Sequence, residues 1–255
     1  MPDTKQIPVL AMENVAVPTL KDPDRIVLEE VNWTVLPGDF WVVVGLHRSG
    51  KSDLLALSAG LMPPARGTCR VLGRELATAA EDEQIPIRRR LTLVFDGGQL
   101  LHHLTVAENV ALPIRYHANL SMAEAIARMQ PLLELTGLTP WADVTPAMIS
   151  RNWQQRAGLA RALALKPEVL LLDTPLTGLD PHDAAWWLEL LSQLSAGHPL
   201  AGHVPITLIV TGDDLRPWKG RARQAAALRK GKFIPLAVER LDPSAPDEAL
   251  MRELL

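Results

Sequence analysis

The chain has 255 residues, with 26 Lys and Arg against 29 Asp and Glu for a net charge of −3, a balance that argues against nonspecific nucleic-acid binding. Apolar residues make up 47% and charged residues 22%, with 16 Gly and 21 Pro spread along the chain, which excludes a disordered polypeptide and allows a full core. The lone Cys69 cannot form an internal disulfide, and no run approaches the ~18 apolar residues of a membrane span.

In chain order, residues 9–17, 26–35 and 40–44 read as short strands, the last two separated by the turn Pro37-Gly38-Asp39, and antiparallel pairing is expected for them. Residues 50–59 read as a helix stopped by Gly60, and residues 67–72 return to strand, which together suggest a βαβ-type unit. Residues 106–165 are rich in Ala, Leu, Met and Arg at helical spacing and read as a helical insert. Beyond Lys166-Pro167, residues 169–172 and 206–210 read as buried strands around a helix at 181–194. Residues 225–235 read as a hairpin turning at Lys230-Gly231, and residues 243–255 carry a short amphipathic helix. The first ten residues hold an acid and two prolines where a signal peptide has an apolar run, so a cytosolic location is expected.

Two segments carry the chemistry. Gly45-Leu46-His47-Arg48-Ser49-Gly50-Lys51-Ser52 fits the phosphate-binding pattern Gly-x4-Gly-Lys-Ser, between an apolar strand and a helix start. Backbone N–H groups of such a loop converge on one hollow, the helix N-terminus adds positive potential, the lysine reaches the β- and γ-phosphates, and the serine can ligate Mg²⁺. Asp173 ends the apolar run Val169-Leu170-Leu171-Leu172, which suits a buried strand presenting a carboxylate to the Mg²⁺ shell. The alternative role for Asp173 is a helix cap or turn residue.

With these segments in place, the chain resembles ATP-binding subunits of ATP-binding cassette (ABC) transporters, and within them the lipid-trafficking, mammalian-cell-entry type. The resemblance rests on Pro37-Gly38-Asp39-Phe40, the phosphate loop, residues 104–110, residues 155–163, Leu172-Asp173 and Gly178-Leu179-Asp180-Pro181. It implies an α/β fold: a P-loop NTPase, RecA-like core with an antiparallel β subdomain and an inserted α-helical subdomain. The expected division is 1–95 for the β subdomain and phosphate-loop part, 96–165 for the helical subdomain, and 166–255 for the rest of the core. It also implies ATP and Mg²⁺ as ligands, a membrane permease as partner, and a location on the inner face of the cell membrane through that permease. A second cassette, in a homodimer or heterodimer, completes the assembly. Residues 97–117 correspond to the permease-facing surface.

Four functional positions depart from the family pattern. The glutamate after the Mg²⁺ aspartate is Thr174, whose hydroxyl is no general base at neutral pH; loss of a positioned base corresponds to roughly 10² to 10⁴ in rate, about 3 to 5 kcal/mol of barrier. The switch histidine is Gly212. The glutamine that helps place Mg²⁺ is Asp96, which could itself ligate the metal as a hard oxygen donor, or Gln99 could swing in. The signature Leu-Ser-Gly-Gly-Gln is Ile149-Ser150-Arg151-Asn152-Trp153, where Ser150 keeps its place toward the opposite subunit's nucleotide. Arg151 could act as a finger, an obstruction or a solvated side chain. No adenine-stacking aromatic is evident between Glu13 and Arg25, where Val15, Val17 and Pro18 occur. Arg48 stands where the family often has Gly and could contact or crowd phosphate.

These features leave three readings. One is a nucleotide-binding subunit with little or no hydrolysis, one a working ATPase with Asp96 or Asp213 as base, and one a nucleotide-free scaffold. Elsewhere, His102-His103 reads as loop, Trp186-Trp187 as one core indole beside one that could face a partner, and Cys69 as a buried small residue.

Overall fold

In the computed structural model, residues 6–76 and 78–242 are described; the tail helix expected at 243–255 lies outside them. The chain opens with β1 (Leu10–Pro18), β2 (Ile26–Val35) and β3 (Phe40–Gly45), followed by α1 (Lys51–Ser58) and β4 (Arg66–Val71). Then come α2 (Glu81–Arg90), β5 (Leu91–Val94), α3 (Val106–Ala118), α4 (Met122–Leu135) and α5 (Arg151–Leu163). The chain continues with β6 (Val169–Leu172), α6 (Pro181–Ala196), β7 (Thr207–Gly212), β8 (Gln224–Arg229) and β9 (Lys232–Leu236).

The strands form one sheet in the order β4-β1-β2-β9-β8-β3-β7-β6-β5. At one end, β1 pairs antiparallel with β2 and β4, and these strands alternate buried and exposed residues, as a sheet with one solvated face does. At the other, β3, β5, β6, β7 and β8 run parallel, with Val42 beside Val210 and Ala225, and Leu170 beside Leu208.

Two expectations are corrected here. The strand at residues 40–44 belongs to the parallel part, because its unbroken apolar run Trp41-Val42-Val43-Val44 needs cover on both faces. And β3-α1-β4 is not a parallel βαβ unit: β4 crosses away from β3 and pairs antiparallel with β1, its exposed Arg66 and Gly67 suiting a sheet edge. The α2 helix and β5 had no clear signal. Only Ile87 of α2 is buried, so no apolar stripe marks the helix, which instead has acids in its first turn and arginines in its last, matched to the helix dipole.

Period-two alternation splits the core. Val42, Val44, Leu170, Leu172, Leu208 and Val210 pack with the helices α3–α6 on one face, whereas Val43, Leu171 and Ile209 pack with α1 and the antiparallel strands on the other. Thr105 and Ser121 form capping boxes with Glu108 and Glu124 at the starts of α3 and α4, each satisfying two backbone donors. The loop after β5 lies directly on α5: a side chain at Gly98 would bring its Cβ within 2.2 Å of the Gln154 carbonyl oxygen. Arg161 fastens the contact by donating to the Gly98 and Gln99 carbonyls at 2.7 and 3.1 Å, and its burial pushes the guanidinium below its ordinary value. Among the described residues, no helix is long and apolar enough to cross a membrane.

Candidate functional site

The polar groups singled out from the sequence gather where β3, β6 and β7 end on the same side, the position at which parallel α/β sheets bind ligands. Leaving β3, the chain turns at Gly45, where a Cβ would stand 2.4 Å from Ser49 Oγ and 3.1 Å from the Leu228 carbonyl oxygen. Gly50, at φ 95, is the N-cap of α1 and gives it no side-chain cap. The first-turn amides therefore keep their capacity for an external acceptor.

Lys51 is buried, and its ammonium donates to Gly45 O at 2.5 Å, Leu46 O at 3.1 Å and Asp213 Oδ1 at 2.7 Å. All three N–H donors are thus engaged, one of them by a carboxylate from the end of β7. Thr177 Oγ1 approaches the other Asp213 oxygen at 3.5 Å. Asp173 is 4% exposed, and its Oδ1 accepts from Thr211 Oγ1 at 2.9 Å. Thr211 Oγ1 in turn accepts the Thr174 amide at 3.0 Å, so one hydroxyl orients the carboxylate and holds the backbone that follows it. Thr174 has φ 46, a left-handed conformation that a β-branched residue adopts only when its surroundings impose it.

A cleft of about 430 Å³ is lined by residues 47–53 with Asp96, Arg151, Asp173, Thr174, Thr177 and Asp213. His47, Arg48, Ser49, Gly50, Lys51, Ser52, Asp173 and Asp96 are therefore together, and Gly45 lies beneath them. Leu46 turns to a neighbouring cavity. Ser150 is the N-cap of α5, exposed and outside the cleft lining, while Gly212 lines an adjoining depression beside Trp218 that shares Thr177 and Asp213 with the cleft. Gln99 is outside the cleft, with its carbonyl on Arg161. Thr177, Thr211 and Asp53 escaped the sequence reading; Asp53 accepts the Leu20 amide at 2.8 Å. Nothing short of the fold brings them here.

Asp96 faces Arg151 as an ion pair: Nε donates to Oδ1 at 3.0 Å and Nη2 to Oδ2. Both are positions where the resemblance described above led to the expectation of other residues, an uncharged glutamine in place of the acid and a glycine in place of the base. Their opposite signs are the signal that could have linked them. Among the described residues no three His, Cys, Asp or Glu side chains form a metal cluster, so a cation held by Asp173 would need hydroxyl and ligand oxygens as well. Val15 and Val17 are fully buried and Pro18 is buried, so none is free to stack on a base.

The other side chains singled out have ordinary places. Trp187 is fully buried and donates to Asn152 at 3.3 Å, while Trp186 lies under the Arg156 guanidinium, 3.7 Å from its ring centroid. His102 and His103 are exposed. Burial, reinforced by Glu75, pushes the Cys69 thiol up to about 12, which leaves it unreactive at neutral pH.

The parallel sheet, the glycine-flanked loop opening α1 and the carboxylate at the end of β6 define a P-loop NTPase fold. Within that class the chain belongs to the ABC transporter family, whose model matches residues 28–177. It is similar to the methionine import ATP-binding protein MetN of Brucella abortus (strain 2308), 40% identical over 166 residues, which are 65% of this chain and 45% of that protein. It is also similar to MetN of Rhizobium johnstonii, 32% identical over 207 residues, 81% of this chain and 55% of that protein. The chain thus spans about half the length of these relatives. Among solved structures, the dimeric structure of MJ0796, a bacterial ABC transporter cassette, matches with a TM-score of 0.77 and 28% identity, covering 88% of this chain and 96% of that one. The dimeric post-hydrolysis state of the same cassette, bound to ADP and Pi, matches with a TM-score of 0.75 and 27% identity over the same shares of the two chains.

Proposed function

We propose that this chain is the ATP-binding subunit of an ABC transporter, docked through residues 97–117 on a membrane permease at the cytoplasmic face and paired with a second cassette. In this reading it binds Mg-ATP with weak or no hydrolysis. The observation that carries it is the contrast within one cleft between a complete anion cradle and the threonine that follows the metal carboxylate. Lys51, the uncapped start of α1 and the oxygen donors of Ser52 and Asp173 fit a magnesium-bound triphosphate. Ser52 and Asp173 would hold the metal, which when bound neutralises charge on the β- and γ-phosphates.

Arrival of the phosphates exchanges Lys51 from Asp213 to the ligand, while Thr211 keeps Asp173 aimed. Thr174 then offers a hydroxyl with no capacity to accept a proton at neutral pH, and Gly212 offers no side chain to the terminal phosphate. ATP acts as a conformational ligand, closing a cassette pair by binding the closed state more tightly. Residues 1–95, 96–165 and 166–255 are in this reading the β part, the helical part and the remainder of the core.

Against the reading as a rearranged ATPase, both candidate bases are occupied, Asp96 by Arg151 and Asp213 by Lys51. For the transported molecule, the motif resemblance supports the lipid-trafficking branch. Similarity to methionine import proteins over 65% of the chain supports small-solute import as the second reading.

The test is ATP binding and turnover on the purified chain, alone and with its permease. Binding of a nonhydrolysable analogue that Lys51→Ala abolishes, with turnover that rises at least about tenfold in Thr174→Glu, is the expected result. Rapid wild-type hydrolysis lost in Lys51→Ala sinks the non-hydrolysing reading, and absence of any binding leaves the scaffold.

A further inference from the structure

Beside the phosphate cleft, and continuous with it through His47, Arg48 and Ser49, lies a second cavity of about 400 Å³. Its lining includes the imidazole of His47 but no Phe, Tyr or Trp. Its wall is cationic: Arg25 from the β1–β2 connection, Arg48 from the phosphate loop, and Arg229 and Lys230 from the β8–β9 turn, with no carboxylate among the lining residues. Arg25, Arg48 and Lys230 form no ion pair within the described residues. Glu29 on β2 is turned to Arg66. Arg25, Arg48 and Lys230, from three separate segments, thus line one concavity in a chain of net charge −3. Positive charge gathered in a concavity attracts an anion.

The geometry points to a phosphoryl group, additional to the triphosphate, as the occupant of this cavity. The chain therefore selects ligands with phosphates at both ends of the site: a nucleotide phosphorylated on its ribose, or a linear polyphosphate that runs from one cavity into the other. Arg48, which lines both spaces, bridges the two phosphate groups, and guanidinium forks match phosphate oxygens bidentately. This inference rests on the phosphate cleft proposed above and adds the chemical class that the cleft's neighbour reads.

Calorimetry on the full chain at fixed ionic strength separates the two sources. One arm compares ADP with adenosine 3′-phosphate 5′-diphosphate, and the other compares inorganic tripolyphosphate with an octamer of polyphosphate. Tightening of at least tenfold in either arm is expected, and the ratio within that arm should collapse toward one in the Arg25→Gln, Lys230→Gln double variant. The two substitutions lie at exposed positions, and circular dichroism with a thermal melt checks that the double variant keeps its fold. Equal affinities in both arms, or a ratio that survives in the double variant, overturn the inference while leaving the phosphate cleft intact. Tightening with polyphosphate in the absence of any nucleotide binding upholds the inference and removes the ATP reading. No binding of any of the four removes both.

Discussion

Arg151, the first residue of α5, is held by Asp96 in the loop after β5, with Nε 3.0 Å from Oδ1 and a second bond from Nη2 to Oδ2. The pair ties the start of the signature helix to the loop that leads from the sheet into the helical part of the molecule. Both side chains keep substantial contact with water, so the pair is weak in energy and specific in geometry.

A double-mutant cycle reads that pair directly. Asp96→Ala and Arg151→Ala each lower the unfolding free energy by up to about 1 kcal/mol, and the double variant shows a coupling of roughly 0.5 kcal/mol. The reversed pair Asp96→Arg with Arg151→Asp recovers part of the loss in urea titrations. Strict additivity means that the two residues do not act on each other in solution.

Asp213 holds Lys51 at 2.7 Å, so in the nucleotide-binding reading proposed above it competes with phosphate for that ammonium. Removing its carboxylate in Asp213→Asn leaves the buried ammonium with Gly45 O and Leu46 O and spares a ligand the displacement of an internal anion. Tripolyphosphate affinity therefore rises by about threefold to tenfold, a Coulomb term at a partly exposed partner. Titration calorimetry checks this, and weaker binding in Asp213→Asn assigns the carboxylate a helping role instead.

Arg156 braces α5 from within. It is 5% exposed, donates to Asp183 Oδ1 at 2.7 Å and lies 4.5 and 3.7 Å from the ring centroids of Trp153 and Trp186. Burial pushes its guanidinium below the ordinary value, opposed by Asp183 and Asp180. Arg156→Ala leaves Asp183 half-satisfied and removes both ring contacts, destabilising by roughly 3 kcal/mol. Arg156→Lys recovers only part of this, because an ammonium lacks the planar face. Chemical denaturation of the two variants distinguishes stacking from charge alone.

Glu168 links the starts of β5 and β6 through Arg90, with bonds of 2.6 and 2.8 Å. The Arg90 bond holds its carboxyl below the ordinary value against an opposing effect of burial. Because the folded value lies below the unfolded one of about 4.3, the stabilisation is fully present above that pH and disappears as pH falls through the folded value. The pair is half-exposed, so Glu168→Gln costs less than about 1 kcal/mol at pH 7, and the difference from wild type shrinks as pH falls through the folded value. A constant difference across thermal melts from pH 7 to pH 3 contradicts this account.

Much of the architecture is legible in the chain because it is written in local signals. The apolar runs 42–44, 169–172 and 206–210 announce buried strands, Lys230-Gly231 announces the hairpin, and Gly45 to Ser52 combine a loop with a helix start that backbone chemistry alone makes anion-receptive. The α2 helix was illegible because one buried side chain leaves no periodicity to read. The antiparallel expectation for the third strand failed because a strand's direction relative to its neighbours depends on partners 165 and more residues away, β7 and β8. Tertiary structure alone decided the Lys51–Asp213 contact, the Asp96–Arg151 pair, the Thr211 bridge under Asp173 and the meeting of Arg25, Arg48 and Lys230 around one cavity. The physical reason is range. Hydrophobic patterning and turn chemistry act over a few residues and are present in the chain itself. Pairing between charges and hydroxyls on separate segments exists only after the sheet has placed their ends side by side.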